Sequence, residues 1–229
     1  MALYVRPFFS QDLHDGWSLA EAPPSDQPAG VLPTSGWIPA RVPWDIHLDL
    51  LAAGRIPDPF YGEHYREALF AEEREWWYRL DLVAPEPVSS ADRVELVFEG
   101  LDTFATVLLD GAVIAESRNM WVPLRIDVTG RLQPGNRHEL AVRFRMPLQA
   151  VSERLQGLER GDVDWLFSPP ERIFSRKAQM SFGWDIAPRI VTCGIWRPVR
   201  LELHRGAALR DLRFTTALED SGAAIVRVQ

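Results

Sequence analysis

The feature that most constrains the fold of this 229-residue chain is a repeated alternation of apolar and polar residues between positions 76 and 146. The run that begins at Trp76 alternates at every second residue. The same period returns in three further runs, at 94–98, 122–128 and 140–145. A period of two is typical of strands with one buried face, so Glu95 is expected on the solvent side of its strand.

Turn signals indicate how these strands connect. Asp110-Gly111 lies between two apolar runs and is the strongest short signal for a hairpin. Pro134-Gly135-Asn136 predicts a second turn. No pattern of alternating strands and helices appears, so residues 76–146 predict five or six antiparallel strands in an all-β sandwich of the jelly-roll type.

The segments on either side of these strands have different patterns. Residues 1–75 are rich in Pro and Gly, which predicts irregular structure apart from a short helix at 46–53, closed by Gly54. Residues 147–175 form a long insertion, with a short helix predicted at 149–158. This insertion is either a functional loop or a freely varying excursion, and the residues leave both interpretations open.

The C-terminal part of the chain returns to the strand pattern. Period-two strands are predicted at 199–203, 209–218 and 223–228. The last strand has no closing turn before Gln229, and a two-stranded hairpin alone is marginal in water, so we expect partner strands downstream. The predicted domains are therefore a sandwich at 1–205 and, at 206–229, the cut-off start of a second domain.

Composition disfavours several classes of partner. The chain has 25 Lys and Arg against 32 Asp and Glu, a formal net charge of −7, which argues against nucleic acid and anionic membrane surfaces. The single Cys193 excludes an internal disulfide and fits a reducing compartment. The sequence shows no secretory signal pattern and no apolar run near the ~20 residues of a transmembrane helix, so a cytoplasmic location is expected.

Acidic residues offer weak candidates for catalysis. The local carboxylate pairs are Glu72 with Glu73, Glu99 with Asp102, and Asp162 with Asp164. Glycoside hydrolysis needs two carboxyl groups that flank one bond. Pairs this close in sequence are more often solvated surface pairs, and no catalytic residue is assigned in this chain.

Metal and cofactor chemistry have as little support. Asp45, His47 and Asp49 alternate, so an extended chain would place them on one face. Zinc and calcium sites usually draw on more ligands than these. The sequence has no glycine-rich phosphate loop, no nucleophile elbow and no His-Glu-x-x-His motif. We expect neither a metal nor a cofactor.

The densest group of aromatic and polar residues lies between positions 176 and 189. Trp184 offers a flat face for a sugar ring, and Asp185 can accept hydrogen bonds from two hydroxyl groups. Gly183 lets the backbone bend beside them. Alternatively, Trp184 packs into the sandwich and Asp185 caps a turn, and the residues alone leave both possibilities open.

Several stretches of the chain are similar to the N-terminal sugar-binding domain of family two glycoside hydrolases, and among these to the β-mannosidases. The similar stretches are residues 40–43, 49–50, 54–62, 76–78, 99–105, 119–123, 176–179, Phe182-Gly183-Trp184-Asp185 and 194–199. Their order along the chain is specific, and together they span about residues 17–205.

The resemblance implies a galactose-binding-domain-like jelly roll, then an immunoglobulin-like sandwich that would begin in residues 207–229, then a (β/α)8 barrel. It implies that both catalytic glutamates lie on the barrel, so this chain alone is expected to be inactive. It also implies that Trp184 and Asp185 are substrate-binding residues near the terminal sugar. The implied substrate is a terminal β-linked mannoside, held together with the barrel domain. The oligomeric state stays open, with a homo-oligomer among the alternatives.

Two departures from the family pattern bear on specificity. Ile186 stands where β-mannosidases usually have an aromatic residue, and Trp44 follows Val42-Pro43 where a glycine is usual. Three alternatives stay open: a domain of a β-glucuronidase or β-galactosidase type of enzyme, a free-standing carbohydrate-binding module, and a purely structural interaction domain.

Overall fold

The computed structural model describes residues 7–25, 31–156, 170–206 and 213–228. The strands in these ranges are β1 (Phe9–Asp12), β2 (Ser18–Ala22), β3 (Ile38–Pro39), β4 (Glu75–Val83), β5 (Arg93–Phe98), β6 (Phe104–Leu109), β7 (Ala112–Arg118), β8 (Leu124–Asp127), β9 (Arg137–Arg145), β10 (Val199–His204), β11 (Phe214–Leu218) and β12 (Ala224–Val228). The helices are α1 (Ile46–Ala52), α2 (Tyr65–Ala68), α3 (Pro147–Ala150) and α4 (Ser152–Leu155).

Two antiparallel sheets pack against one common core. One sheet has six strands in the order β3-β2-β4-β9-β6-β7, and the other has four in the order β1-β10-β5-β8. Both sheets contribute to one cluster of buried side chains, whose large members include Trp76, Tyr78, Phe98 and Phe144. The predicted all-β sandwich of the jelly-roll class is therefore confirmed.

The predicted hairpin at Asp110-Gly111 joins β6 to β7. These two residues have φ angles of 50° and 76°, and a type I′ turn needs positive φ at both central positions. The Asp110 carboxylate also accepts a hydrogen bond from Glu139 N at 2.8 Å and contacts His138 Nδ1 at 2.7 Å. The turn is thereby tied to strand β9.

The outer face of the four-stranded sheet differs from the prediction at Glu95. Glu95 and Glu202 lie opposite each other on β5 and β10, and neither side chain is exposed. Arg125 of β8 contacts both carboxylates, and His204 Nε2 lies 3.3 Å from Glu202. Long cationic side chains cover the two acids, so the alternation predicted the face of Glu95 correctly but its solvent exposure wrongly.

Residues 1–75 are more regular than the sequence predicted. Strand β1 pairs with β10, and β2 pairs with both β3 and β4. These strands contain 4, 5 and 2 residues, which is too short for a period of two to stand out beside prolines and glycines. The predicted helix is confirmed as α1, and Asp45 is its N-cap, with Oδ1 accepting a hydrogen bond from His47 N at 2.8 Å.

Two short helices, α3 and α4, stand where one helix was predicted at 149–158, and residues 157 and 158 lie outside the described ranges. Strands β11 and β12 pair with each other and are exposed on both faces. The predicted start of the first of them, at 209–212, also lies outside the described ranges. Among the described residues, the structure has no helix that is long and apolar enough to cross a bilayer.

Candidate functional site

A surface loop at residues 183–188, named here the Trp-Asp loop, carries both predicted sugar-binding residues. A hydrogen bond of 3.1 Å from Ile190 N to Ser181 O closes its base. Gly183 opens the loop with φ of 96°, a conformation that a residue with a Cβ rarely adopts. Phe182, directly before it, is buried in the core. The loop therefore projects from a packed aromatic side chain.

The Trp-Asp loop presents its side chains to solvent. Trp184 is 55% exposed and Ile186 is fully exposed at 102%. Asp185 is also exposed, and its φ of 26° places it at the turn between Trp184 and Ala187. Trp184 therefore does not pack into the sandwich core. The indole face and the carboxylate are both accessible to a ligand.

A buried ion pair fixes the chain before the loop. Lys177 is fully buried, and its Nζ lies 3.0 Å from Asp102 Oδ2 and 2.8 Å from Thr192 Oγ1. Thr192 Oγ1 donates to the same Asp102 oxygen at 2.6 Å. The backbone of Asp102 also pairs with Gly194 through two hydrogen bonds of 2.9 and 3.0 Å. Breaking such a buried pair would leave an unpaired charge, which costs several kcal/mol.

A second ion pair fixes the chain after the loop. Arg189 Nε donates to both Glu72 carboxylate oxygens, at 2.9 and 3.1 Å, and its Nη2 contacts Glu72 and Glu171. Burial disfavours the charged guanidinium, but the two carboxylates outweigh it and raise the pKa of Arg189. Arg189 and Lys177 also flank the ring of Phe182, each 5.8 Å from its centroid. Both ends of the loop are therefore held by charged groups around one buried ring.

Three members of the predicted carboxylate pairs bind cations, and Glu73 is exposed on the surface. Glu72 binds Arg189 and Asp102 binds Lys177, as described above. Glu99 Oε1 lies 2.5 Å from Nη2 of Arg200. Asp162 and Asp164 lie outside the described residues. Glu72 and Asp102 therefore stabilise the fold around the loop, whereas Glu99 binds a side chain of strand β10.

Asp45 and Asp49 have different structural roles, and His47 contacts Asp45. Asp45 caps α1, contacts His47 Nδ1 at 2.8 Å and accepts a hydrogen bond from Cys193 N at 2.8 Å. Asp49 is buried, with one oxygen accepting a hydrogen bond from Arg41 N at 3.1 Å. Burial and the nearby Asp45 carboxylate raise the pKa of Asp49 to about 7.

Elsewhere in the described part of the chain, one histidine and two carboxylates lie close enough together to hold a metal ion. The ligand atoms of Glu95, Glu202 and His204 lie within 4.8 Å of one another on the four-stranded sheet. Arg125 already contacts both of these carboxylates. The cluster is therefore an ion-pair network within the sheet.

Periodicity and motifs in the sequence do not predict the anchoring role of Lys177, Arg189 or Glu171. Asp102, which binds Lys177, and Glu72, which binds Arg189, lie 75 and 117 residues away from these partners in the chain. Such contacts depend on the tertiary fold. The only signal was that Lys177 and Arg189 fall inside the polar and aromatic cluster at 176–189.

The sequence matches the family model described as glycosyl hydrolase 2 galactose-binding domain-like over residues 17–197. The β-mannosidase B of Aspergillus terreus is 38% identical over 215 residues, which are 93% of this chain and 24% of that relative. The chain thus spans about a quarter of the length of the curated relatives it matches.

Solved structures show the same fold. The β-D-mannosidase of Dictyoglomus thermophilum is 32% identical with a TM-score of 0.78, and the match covers 96% of this chain and 26% of that one. A β-glucuronidase of Faecalibacterium prausnitzii is 21% identical with a TM-score of 0.54, covering 96% of this chain and 35% of that one. The second match shows the fold alone.

Proposed function

Because the chain belongs to the glycosyl hydrolase 2 galactose-binding domain-like family, we propose that it is the non-catalytic sugar-binding module of a longer, β-mannosidase-like retaining exo-glycosidase. In this proposal Trp184 and Asp185 form one wall of a pocket for a terminal β-linked mannose. The observation that carries the proposal is the exposure of both side chains on a loop whose two ends are held by ion pairs, one of them fully buried.

The two exposed side chains complement a pyranose. An indole face packs against the apolar C–H face of a sugar ring, and an ionised carboxylate accepts charge-assisted hydrogen bonds from hydroxyl groups. The anchors at Lys177 and Arg189 restrict the loop before a ligand arrives, and a site held in advance loses less entropy on binding.

Hydrolysis is assigned to residues outside this chain. A glycosidase needs an acid and a nucleophile or base about 5–10 Å apart across the scissile bond. Near the loop, Glu72, Glu171 and Asp102 are each bound to a cation. In the proposal a (β/α)8 barrel supplies both catalytic carboxylates, and the isolated chain is inactive.

Exposed apolar side chains support the presence of a covering domain. Ile173, Met180 and Ile186, all near the loop in sequence, are more than half exposed, and groups of exposed apolar side chains mark interaction surfaces. In the same proposal β11 and β12, whose faces are open to solvent, begin an immunoglobulin-like sandwich at 206–229. The proposed location is cytoplasmic, supported by the lone, buried Cys193.

Replacing Asp185 in the complete polypeptide tests the proposal. Asp185→Ala removes a charge-assisted hydrogen bond worth about 1.5–3 kcal/mol, so kcat/KM for an aryl β-mannoside is expected to fall at least ~tenfold. Asp81→Ala, at an exposed carboxylate on β4, is the matched control and should change kcat/KM less than about twofold. An unchanged kcat/KM in Asp185→Ala would mean that the loop has only a structural role.

The accessible indole of Trp184 also suits a second candidate, a free-standing carbohydrate-binding module. Calorimetry of the isolated chain with mannose and manno-oligosaccharides separates the two. We expect no measurable binding, because the proposed pocket has only one wall in this chain, whereas dissociation constants of about 1 mM or below would favour the module. Aryl β-glucuronides and β-galactosides, tested on the complete polypeptide, check the substrate class.

A further inference from the structure

Arg172 lies against the ring of Trp184 and has no part in the function proposed above. Its Cζ is 4.9 Å from the indole centroid, within the range of a cation–π contact. The residue ends a short 3-10 turn, Pro170–Arg172, which also supplies Glu171 to the Arg189 anchor. The guanidinium thus comes from a turn that is tied to the Arg189 anchor, and the indole is still 55% exposed.

The position of Arg172 is set in turn by Gln179. Arg172 Nε donates to Gln179 Oε1 at 2.8 Å. Gln179 Nε2 faces three carbonyl oxygens, those of Ser175 at 3.1 Å, Lys177 at 3.2 Å and Arg172 at 3.4 Å. Of the two ends of the Gln179 amide, only the NH2 can donate to carbonyl oxygens, so the network allows one orientation of the amide, with Oε1 directed to the guanidinium.

These contacts form a continuous path from the backbone near the buried Lys177 to the exposed indole. An unsupported surface tryptophan would exchange between rotamers, and a ligand that stacks on it would have to restrict that motion. A guanidinium held by a fixed amide restricts the ring beforehand and leaves the exposed ring surface available.

We infer that Arg172, held by Gln179, is a positioning residue that fixes the sugar-stacking face of Trp184. The inference rests on the proposed function, since it assigns a role within the same sugar site. Arg172 itself touches the indole and acts on the sugar through it. A merely structural Arg172 would stabilise the fold without changing the behaviour of Trp184.

Kinetics of the complete polypeptide give the first test. Arg172→Met and Gln179→Met are expected to raise KM for an aryl β-mannoside about two- to fivefold, with kcat changed less than about twofold, because a cation–π contact at an exposed site contributes to binding on this scale. Arg172→Lys retains the charge but loses the planar fork, so its KM should lie between those of the wild type and Arg172→Met.

Fluorine NMR of the same polypeptide, labelled with 5-fluorotryptophan, reports on the ring directly. The Trp184 signal is assigned with Trp184→Phe and is expected to shift or broaden in Arg172→Met and Gln179→Met. Arg79→Met is the matched control, because Arg79 stacks on Trp37 with Cζ 4.4 Å from the ring, and it should leave the Trp184 signal unchanged.

The inference is overturned if folded Arg172→Met leaves both KM and the Trp184 signal unchanged, or if it changes thermal stability alone. Should Arg172→Met fail to fold, Arg172→Lys and Gln179→Met decide the same question. Asp185→Ala in the same assay separates the two hypotheses. If Asp185→Ala leaves kcat/KM unchanged, the proposed function fails. If Asp185→Ala lowers kcat/KM but Arg172→Met changes neither KM nor the Trp184 signal, only the positioning role fails.

Discussion

Asp49→Asn is expected to make the chain more stable at neutral and alkaline pH. Asp49 is buried on α1, one carboxylate oxygen accepts a hydrogen bond from Arg41 N at 3.1 Å, and the other has no partner among the described residues. Burial, reinforced by the Asp45 carboxylate, disfavours the ionised form and raises its pKa from 3.8 to about 7. The folded chain therefore keeps a proton that the unfolded chain loses.

The sign and size of the effect follow from that difference. Below pH 3.8 both states are protonated, and Asp49 does not lower stability. As the pH rises to about 7, the unfolded state ionises first, so the free energy of unfolding falls by roughly 1.4 kcal/mol per pH unit, to a total of about 4 kcal/mol. Above about pH 7 the loss is complete. Asparagine keeps the shape and cannot ionise, so it removes this loss.

Urea unfolding followed by tryptophan fluorescence measures the effect. We expect Asp49→Asn to match the wild type within about 1 kcal/mol near pH 4.5 and to exceed it by about 2–4 kcal/mol near pH 8. Asp81→Asn, at an exposed carboxylate, should show no such dependence on pH. A difference between Asp49→Asn and the wild type that stays constant from acid to alkaline pH would refute the reasoning.

Three further outcomes are expected from the same structure. Lys177→Met leaves Asp102 buried without its cation, so the free energy of unfolding should fall by about 3–5 kcal/mol in urea titrations, and a loss below about 1 kcal/mol would contradict the anchor. Gly100→Ala places a Cβ against Nε1 of Trp196, so calorimetry should show a lower melting temperature, from a loss of about 1–3 kcal/mol. Burial raises the pKa of the Cys193 thiol well above its ordinary value, so a thiol reagent should label it only after unfolding, and rapid labelling of the native chain would count against its burial.

The sandwich was predictable because its main strands are long and carry a clear period. Strand β4 has nine residues, and Tyr78, Leu80 and Leu82 face the core as the alternation indicated. The hairpin at Asp110-Gly111 was predictable because its conformation depends on the two turn residues themselves. Strands β1 and β2 were not predictable, since such short strands are formed by pairing with β10 and β4, which lie far along the chain, and β3 in turn pairs with β2.

The candidate site was predictable only in part. The composition of residues 176–189 identified Trp184 and Asp185, and the family resemblance gave them a role. Their exposure depends on how the loop is anchored, and the anchors join residues such as Asp102 with Lys177 that have no relation in sequence. The contact of Arg172 with Trp184 was likewise not predictable from the sequence, because it depends on the tertiary structure around the loop.

The most direct test of the proposed function is the structure of the complete polypeptide, made catalytically inactive, with a terminal β-mannoside bound. The decisive quantity is the distance from an Asp185 carboxylate oxygen to the nearest hydroxyl oxygen of the terminal sugar. We expect about 2.6–3.0 Å, with the Trp184 ring in contact with the sugar. A sugar bound in the pocket with Asp185 more than about 6 Å away, beyond the reach of one bridging water, would contradict the proposed role of this chain.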